Sequence, residues 1–270
     1  MLKRICFLVD DKIELPVYQN HNVLVERKEK NATSEEFSNE DTLFVCDESK
    51  IAKSLLTNGQ NVVALFTDEN KEEDFSFCKY AIMDAAFCEL AFFEGIWKRF
   101  MGFPWDILET NRCLVRETTV EDVDAFYELY KDEEITRYME PLFENRDEEI
   151  EYTKSYIKNV YEFYGFGMWT VVEKTSGKVI GRAGVSYREG YELPELGFMI
   201  GKEFWRQGYA YEVCLAILDY MYENYETEQI YIFIEPQNSP SIHLAKKLGA
   251  EFYKEKCMGN CDGYIMKLPR

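Results

Sequence analysis

Glu195-Leu196-Gly197-Phe198-Met199-Ile200-Gly201-Lys202-Glu203-Phe204-Trp205-Arg206-Gln207-Gly208-Tyr209-Ala210-Tyr211 is the stretch from which the rest of the chain is read. Leu196 to Ile200 is an apolar run bounded by glycines and too short for a helix, so it predicts a buried strand. From Tyr209 onward, Val213, Leu215, Ala216, Leu218 and Met221 predict a helix with an apolar face. Trp205-Arg206-Gln207-Gly208 is the turn between them. A glycine at the entry to a helix lets backbone approach a ligand closely. The N–H groups of the first helical turn lack intrahelical partners and sit at the positive end of the dipole, which makes an anion site. A phosphate or diphosphate could be held there by main chain alone. Many strand–glycine–helix junctions bind nothing, so this reading needs a second feature.

Residues 235–250 supply it. They read Glu-Pro-Gln-Asn-Ser-Pro-Ser-Ile-His-Leu-Ala-Lys-Lys-Leu-Gly-Ala: a strand end, a polar turn, then a short helix closing at Gly249. The interval between Gly208 and Asn238 fits one crossover helix and one strand (residues 229–235), as in a βαβ unit. Together the two segments resemble the GNAT superfamily of acyl-CoA-dependent N-acyltransferases. The family's phosphate-loop signature corresponds to Trp205-Arg206-Gln207-Gly208-Tyr209-Ala210, and its second signature to Asn238-Ser239-Pro240-Ser241-Ile242-His243-Leu244-Ala245-Lys246-Lys247-Leu248-Gly249. Trp205 looks like the branch that acetylates ribosomal-protein amino termini.

The resemblance covers about residues 113–270 and implies an α/β (α+β) acyltransferase fold with a mixed central sheet. It also implies acetyl-CoA as co-substrate, no metal, and a small-molecule or peptide amine as acceptor. Backbone groups of Phe198, Met199 and Ile200 would grip the pantetheine arm. The amides of Arg206, Gln207, Gly208, Tyr209, Ala210 and Tyr211 would hold the diphosphate. Asn238 and Ser241 would meet the cofactor near its thioester end.

Acetyl transfer from a thioester needs a neutral amine, a donor for the developing oxyanion, and an acid for the leaving thiolate. Glu195, at the start of the central strand, is the candidate base, with Glu192 the neighbour most easily confused with it. An ordinary carboxylate, with a pKa of about 4.3, needs a water relay or burial to serve an amine near 10. The acid is less legible. Many family members carry a tyrosine in the second-motif helix, and Ala245 stands at that position here. Ser241 at the helix start is the candidate donor, with a helix cap as its competing role. Tyr231 and Tyr253 are more distant alternatives, and His243 is expected to face solvent.

Residues 1–110 lie outside the resemblance and predict a small Rossmann-like α/β domain, with residues 111–270 as the acyltransferase. Strands are expected at 22–26, 42–46, 61–66 and 80–83, with helices at 49–57 and 85–101. The stretch after Asp47 vaguely resembles a haloacid-dehalogenase-like domain. Asp10-Asp11-Lys12 does not supply that family's Asp-x-Asp nucleophile pair, so a scaffold or ligand-sensing role is expected rather than hydrolysis. In the second part, Thr119 and Asp122 form a candidate capping box before a helix. A helix over 147–164 follows. Three antiparallel strands (169–173, 179–187 and 195–200) turn at Thr175–Lys178 and at Gly190, and a last strand (264–268) follows a turn at Asp262-Gly263.

The 270-residue chain is 46% apolar and 16% aromatic, enough for one or two cores. No stretch reads as a signal peptide or membrane span. The eight cysteines mostly lie in apolar contexts, as free thiols do in a reducing compartment, which places the chain in the cytoplasm. Cys257 and Cys261 lack two further zinc ligands. A net charge of −19 argues against nucleic acid and mildly for an amine. No feature fixes the oligomeric state, and a homodimer stays open. Two functions follow: an acetyl-CoA-dependent N-acetyltransferase, or a non-catalytic acyl-CoA sensor coupled to the N-terminal domain.

Overall fold

A computed structural model of the chain describes residues 1–19, 21–30, 40–188, 191–258 and 261–270. Met1–Trp105 and Asp106–Arg270 form two compact units.

In the first unit, β1 (Arg4–Leu8), β2 (Leu24–Arg27), β3 (Thr42–Cys46), β4 (Val62–Leu65) and β5 (Tyr80–Ile82) form one sheet. The order is β2-β1-β3-β4-β5, with every neighbouring pair parallel. A parallel sheet needs cover on both faces, and the apolar runs of β1, β3 and β4 are buried throughout. Alternation along β1 sends Ile5 and Phe7 toward Phe93, Ile96 and Trp97 of α2 (Leu90–Phe100). Cys6 and Leu8 point the other way, toward Ala52 and Leu55 of α1 (Ser49–Thr57). The predicted α1 is matched residue for residue. The second helix begins at Leu90 rather than Ala85, because residues 85–89 form turns before it.

The second unit is built on eight strands in the order β12-β13-β11-β10-β9-β8-β7-β6. In chain order it comprises β6 (Asp106–Glu109), β7 (Cys113–Arg116), α3 (Val123–Tyr130), α4 (Glu133–Thr136), α5 (Arg146–Tyr156), α6 (Glu162–Tyr164), β8 (Met168–Glu173), β9 (Val179–Arg188) and β10 (Tyr191–Ile200). There follow α7 (Tyr209–Asn224), β11 (Tyr231–Ile234), α8 (Ser239–Lys247), β12 (Glu251–Met258) and β13 (Cys261–Lys267). The sheet is mixed: β10 and β11 pair in parallel, as a βαβ crossover requires, and the other neighbours are antiparallel.

Helices cover both faces. On one, Trp169 of β8 meets Tyr220 of α7 edge-on at 5.9 Å. On the other, Arg182 of β9 stacks on Phe126 of α3. The capping box forms, with Asp122 accepting from the Thr119 amide at 2.9 Å. Asp122 is buried yet fully engaged: Arg116 grips it with two bonds of 2.7 Å and the Thr170 hydroxyl adds a third at 3.0 Å. A buried carboxylate persists only when paired and hydrogen-bonded in this way.

Two further expectations are corrected. The single helix over 147–164 is broken by a π-turn at Ile157–Tyr161, which puts Tyr161 wholly in the core. Asp262 and Gly263 lie inside β13, opposite Cys257 and Lys256, so they are not a turn. Their partner β12 was missed. The Gly190 turn lies outside the described residues. Close packing limits β9: a Cβ at Gly184 would fall 1.9 Å from the Gly167 carbonyl oxygen and 2.9 Å from the Met168 Cα. Backbone cannot yield cheaply there, so Gly184→Ala is expected to cost about 3 kcal/mol. A lowered urea midpoint, with lost amide protection in β8 and β9, is the check.

Candidate active site

The strand–turn–helix at the centre of the second unit has a specific shape. Strands β10 and β11 are in register at one described pair, Glu195 with Tyr231, and then diverge. Glu195 therefore stands at the vertex of the opening, paired on its other side with Ser186 of β9. Backbone alternation shows which groups face the gap. The Gly201 amide bonds the Ile180 carbonyl of the β9 side, so Met199 also spends its backbone on β9, while Phe198 and Ile200 turn theirs toward the divergence. The Ile200 carbonyl is already taken by the Trp205 indole N–H at 2.6 Å. The Phe198 N–H and C=O and the Ile200 N–H are the groups left for a ligand. Met199 lends none, and its side chain is buried.

Beyond β10 a 3₁₀ turn (Lys202–Phe204) leads into Arg206, Gln207 and Gly208, all exposed. Arg206 has φ 59° and Gly208 φ 85°. A left-handed arginine is uncommon, and such strain is concentrated where a site needs a particular backbone shape. Among the described residues, no protein acceptor takes the N–H groups of Arg206, Gln207, Gly208, Tyr209, Ala210 or Tyr211. The first bond of α7 runs from the Glu212 amide to the Gly208 carbonyl. Six consecutive N–H groups thus lead into and open the positive end of a 16-residue helix. That donor set fits a diphosphate.

The bend is held from outside by Arg112, a residue the sequence reading did not single out. Its guanidinium pairs with Glu212 at 2.7 Å, donates to the Gln207 carbonyl at 2.9 Å, and lies 4.0 Å over the Tyr209 ring. The Tyr209 hydroxyl in turn donates to Glu173 at 2.6 Å. Burial pushes the Glu212 carboxyl up, but hydrogen bonds from Thr110 and Arg112 outweigh it and hold the group below its usual range. A depressed carboxylate stabilises the fold above its unfolded pKa, and the contribution fades as pH falls through the folded value. The clasp is therefore intact at neutral pH and lost in acid. Lys247, near the end of α8, stacks over the Tyr211 ring at 4.2 Å and adds a second cation beside the bend.

The second motif forms the predicted short helix, but its polar groups are assigned differently. The Asn238 side-chain oxygen caps α8 by accepting from the Ser241 amide at 3.2 Å. That leaves the Asn238 NH₂ for a ligand and frees Ser241 from the capping role. The half-buried Ser241 hydroxyl has no protein partner among the described residues. Ala245 is fully buried, so its position offers no proton donor. His243 is exposed, as expected. The Tyr138 hydroxyl donates to the Gln237 carbonyl at 3.1 Å and ties the α4–α5 connection to this motif. Among the described residues, no group of three or more His, Cys, Asp or Glu side chains could hold a metal ion. No helix among them is long and apolar enough to cross a membrane.

The family description "Acetyltransferase (GNAT) domain" matches residues 112–251, over half of the chain. The protein belongs to the GNAT acetyltransferase family. It is an acetyltransferase, and the diverging strands and open amides fall inside the matched segment. The uncharacterized protein YkkB of Bacillus subtilis is 29% identical over 54% of this chain and 86% of its own. The uncharacterized N-acetyltransferase p20 of Bacillus licheniformis is 26% identical over 56% of this chain and 84% of its own. In fold, a ribosomal-protein-S5-alanine acetyltransferase from Vibrio fischeri superposes with a TM-score of 0.52, at 15% identity, over 59% of this chain and 94% of that one.

Proposed function

We propose that the protein transfers the acetyl group of acetyl-CoA to a primary amine, with a peptide amino terminus as the favoured acceptor. The six unpartnered amides of Arg206–Tyr211 carry this reading, since they supply the diphosphate site that GNAT acetyltransferases are expected to use for acetyl-CoA. Phe198 and Ile200 supply backbone groups for the pantetheine arm, and the Asn238 NH₂ reaches toward the thioester. Glu195 takes the amine proton through a water. The amine nitrogen attacks the thioester carbonyl, the C–N bond forms and the C–S bond breaks; the thiolate takes a proton from Ser241, and the proton that the nitrogen sheds as the amide forms returns to Ser241 by way of water. The preference for a peptide acceptor draws on the Trp205 signature and on fold neighbours named for ribosomal proteins.

Residues 1–110 form an accessory domain in this reading. The all-parallel sheet supports a Rossmann-like or haloacid-dehalogenase-like ancestry, and without an Asp-x-Asp pair its role is scaffold or sensor. Buried thiols at Cys6, Cys46, Cys113 and Cys214 favour a reducing, cytoplasmic setting. The charge of −19 favours amines over nucleic acid.

Full-length protein supplied with acetyl-CoA and an amine panel should release free thiol and form acetylated amine. Binding without thiol release would leave an acyl-CoA sensor instead. Arg112→Ala removes the outer clasp but none of the six donors, so acetyl-CoA affinity should fall about tenfold, by calorimetry, with the helical signal retained.

A further inference from the structure

The sheet face that carries Glu195 also carries a cation with no ion pair among the described residues. Arg182 of β9 pairs with Met199 of β10 and Thr170 of β8. Glu195 and Met199 are four residues apart on one strand, so alternation puts Arg182 and Glu195 on the same face. The Arg182 guanidinium lies 4.7 Å over the Phe126 ring, with the Tyr130 hydroxyl as its hydrogen-bond neighbour. Its charge also acts on the phenols of Tyr152, Tyr156 and Tyr161. Its Nε is sealed from solvent and has no acceptor among the described residues. Among the described residues, no carboxylate lies within ion-pair distance of it. The carboxylates that act on Tyr130 and Tyr152 are Glu149, whose Oε2 accepts from the Phe143 amide, and Glu140, while Asp122, bonded to Thr170 on the neighbouring strand, is held by Arg116.

A half-buried guanidinium with aromatic walls and no counter-ion among the described residues is costly to keep. An arriving carboxylate would be gripped in a planar, two-bond geometry that few other groups reproduce. We propose that Arg182 anchors a carboxylate of the acceptor, so that the enzyme selects amino termini followed within one or two positions by aspartate or glutamate. The span supports a peptide. Four residues along a strand cover about 13 Å, too far for the amine and carboxylate of one free amino acid. A second or third residue reaches that distance with its side chain, helped by the length of the arginine. Elsewhere the chain's charge of −19 repels such a peptide, which makes a half-buried cation with no carboxylate partner among the described residues more selective.

This inference rests on the acetyltransferase reading, and its test separates the two. Full-length protein is titrated with CoA and then, both CoA-free and CoA-saturated, with carboxy-amidated peptides Ser-Glu-Ala-Leu and Ser-Gln-Ala-Leu, each against wild type, Arg182→Lys and Arg182→Gln. The glutamate peptide is expected to bind about 30-fold more tightly than its glutamine isostere to wild type. The gap should shrink in Arg182→Lys and close in Arg182→Gln, with CoA affinity and the circular dichroism spectrum unchanged. Equal binding of both peptides to wild type would overturn the proposal. So would an equal loss of both in Arg182→Gln, the mark of a merely structural stack on Phe126. Absence of CoA binding sinks the acetyltransferase reading, while the difference between peptides still decides the role of Arg182.

Discussion

Glu195→Gln is expected to lower kcat about 100-fold at neutral pH and to leave acetyl-CoA affinity within twofold. The asymmetry follows from position. The residue's backbone belongs to the ladder, paired with Ser186 and Tyr231, and glutamine can keep that pairing. The side chain stands where β10 and β11 part, on the opposite side of the strand from Leu196 and Phe198, and on the face covered by α3 rather than α7. An amine with a pKa of about 8 to 10 reaches the site largely protonated and must lose a proton before it can attack. With glutamine, that proton leaves to bulk solvent alone. The deficit should therefore shrink as pH rises toward the amine's own pKa. Rapid-mixing measurement of thiol release across pH checks this, and an unchanged kcat in the variant would remove Glu195 from the mechanism.

The second large effect is expected at the bend. Gly208→Val should reduce acetyl-CoA affinity at least 100-fold. The reason is conformational more than steric: a Cβ there would meet only the Arg112 guanidinium, at 3.5 Å, an ordinary contact. At φ 85° a β-branched residue is strained by about 1 to 3 kcal/mol, and the chain would relieve it by leaving the left-handed region. That movement would turn the amides on either side of residue 208 away from a common point. Gly208→Asn separates the two causes, because asparagine tolerates this conformation far better. It should retain most of the affinity that valine loses. Calorimetry on both variants is the check, and a valine variant within threefold of wild type would show that the bend does not hold the diphosphate.

Legibility in the sequence followed how local the physics was. The helix at Ser49–Thr57 was readable to the residue because Asn58-Gly59 stops it, and the crossover from Gly208 to Asn238 because its length admits one helix and one strand. The edge strand β12 was invisible. Glu251 to Glu255 are all exposed, and the segment mixes charged with aromatic side chains without a period, so no buried run marks it. Asp262-Gly263 carries turn chemistry but is held in a ladder by a partner that was itself unseen. The π-turn at Ile157–Tyr161 arises from tertiary packing of Tyr161, which no propensity encodes. At the site, the glycine bend and the asparagine could be found from their own neighbours. Arg112 could not: its partner Glu212 lies 100 residues away. Asn238 was placed at the right helix, yet its oxygen caps that helix while its nitrogen stays available. Arg182 is marked only by the partner it lacks.

Amide hydrogen exchange over residues 206–211, with and without acetyl-CoA, bears most directly on the account. These six N–H groups have no protein acceptor among the described residues, so they should exchange rapidly in the free protein and become the most strongly protected segment of the second unit when acetyl-CoA binds. Slow exchange in the free protein, or acetyl-CoA binding that leaves this segment unprotected, would contradict it.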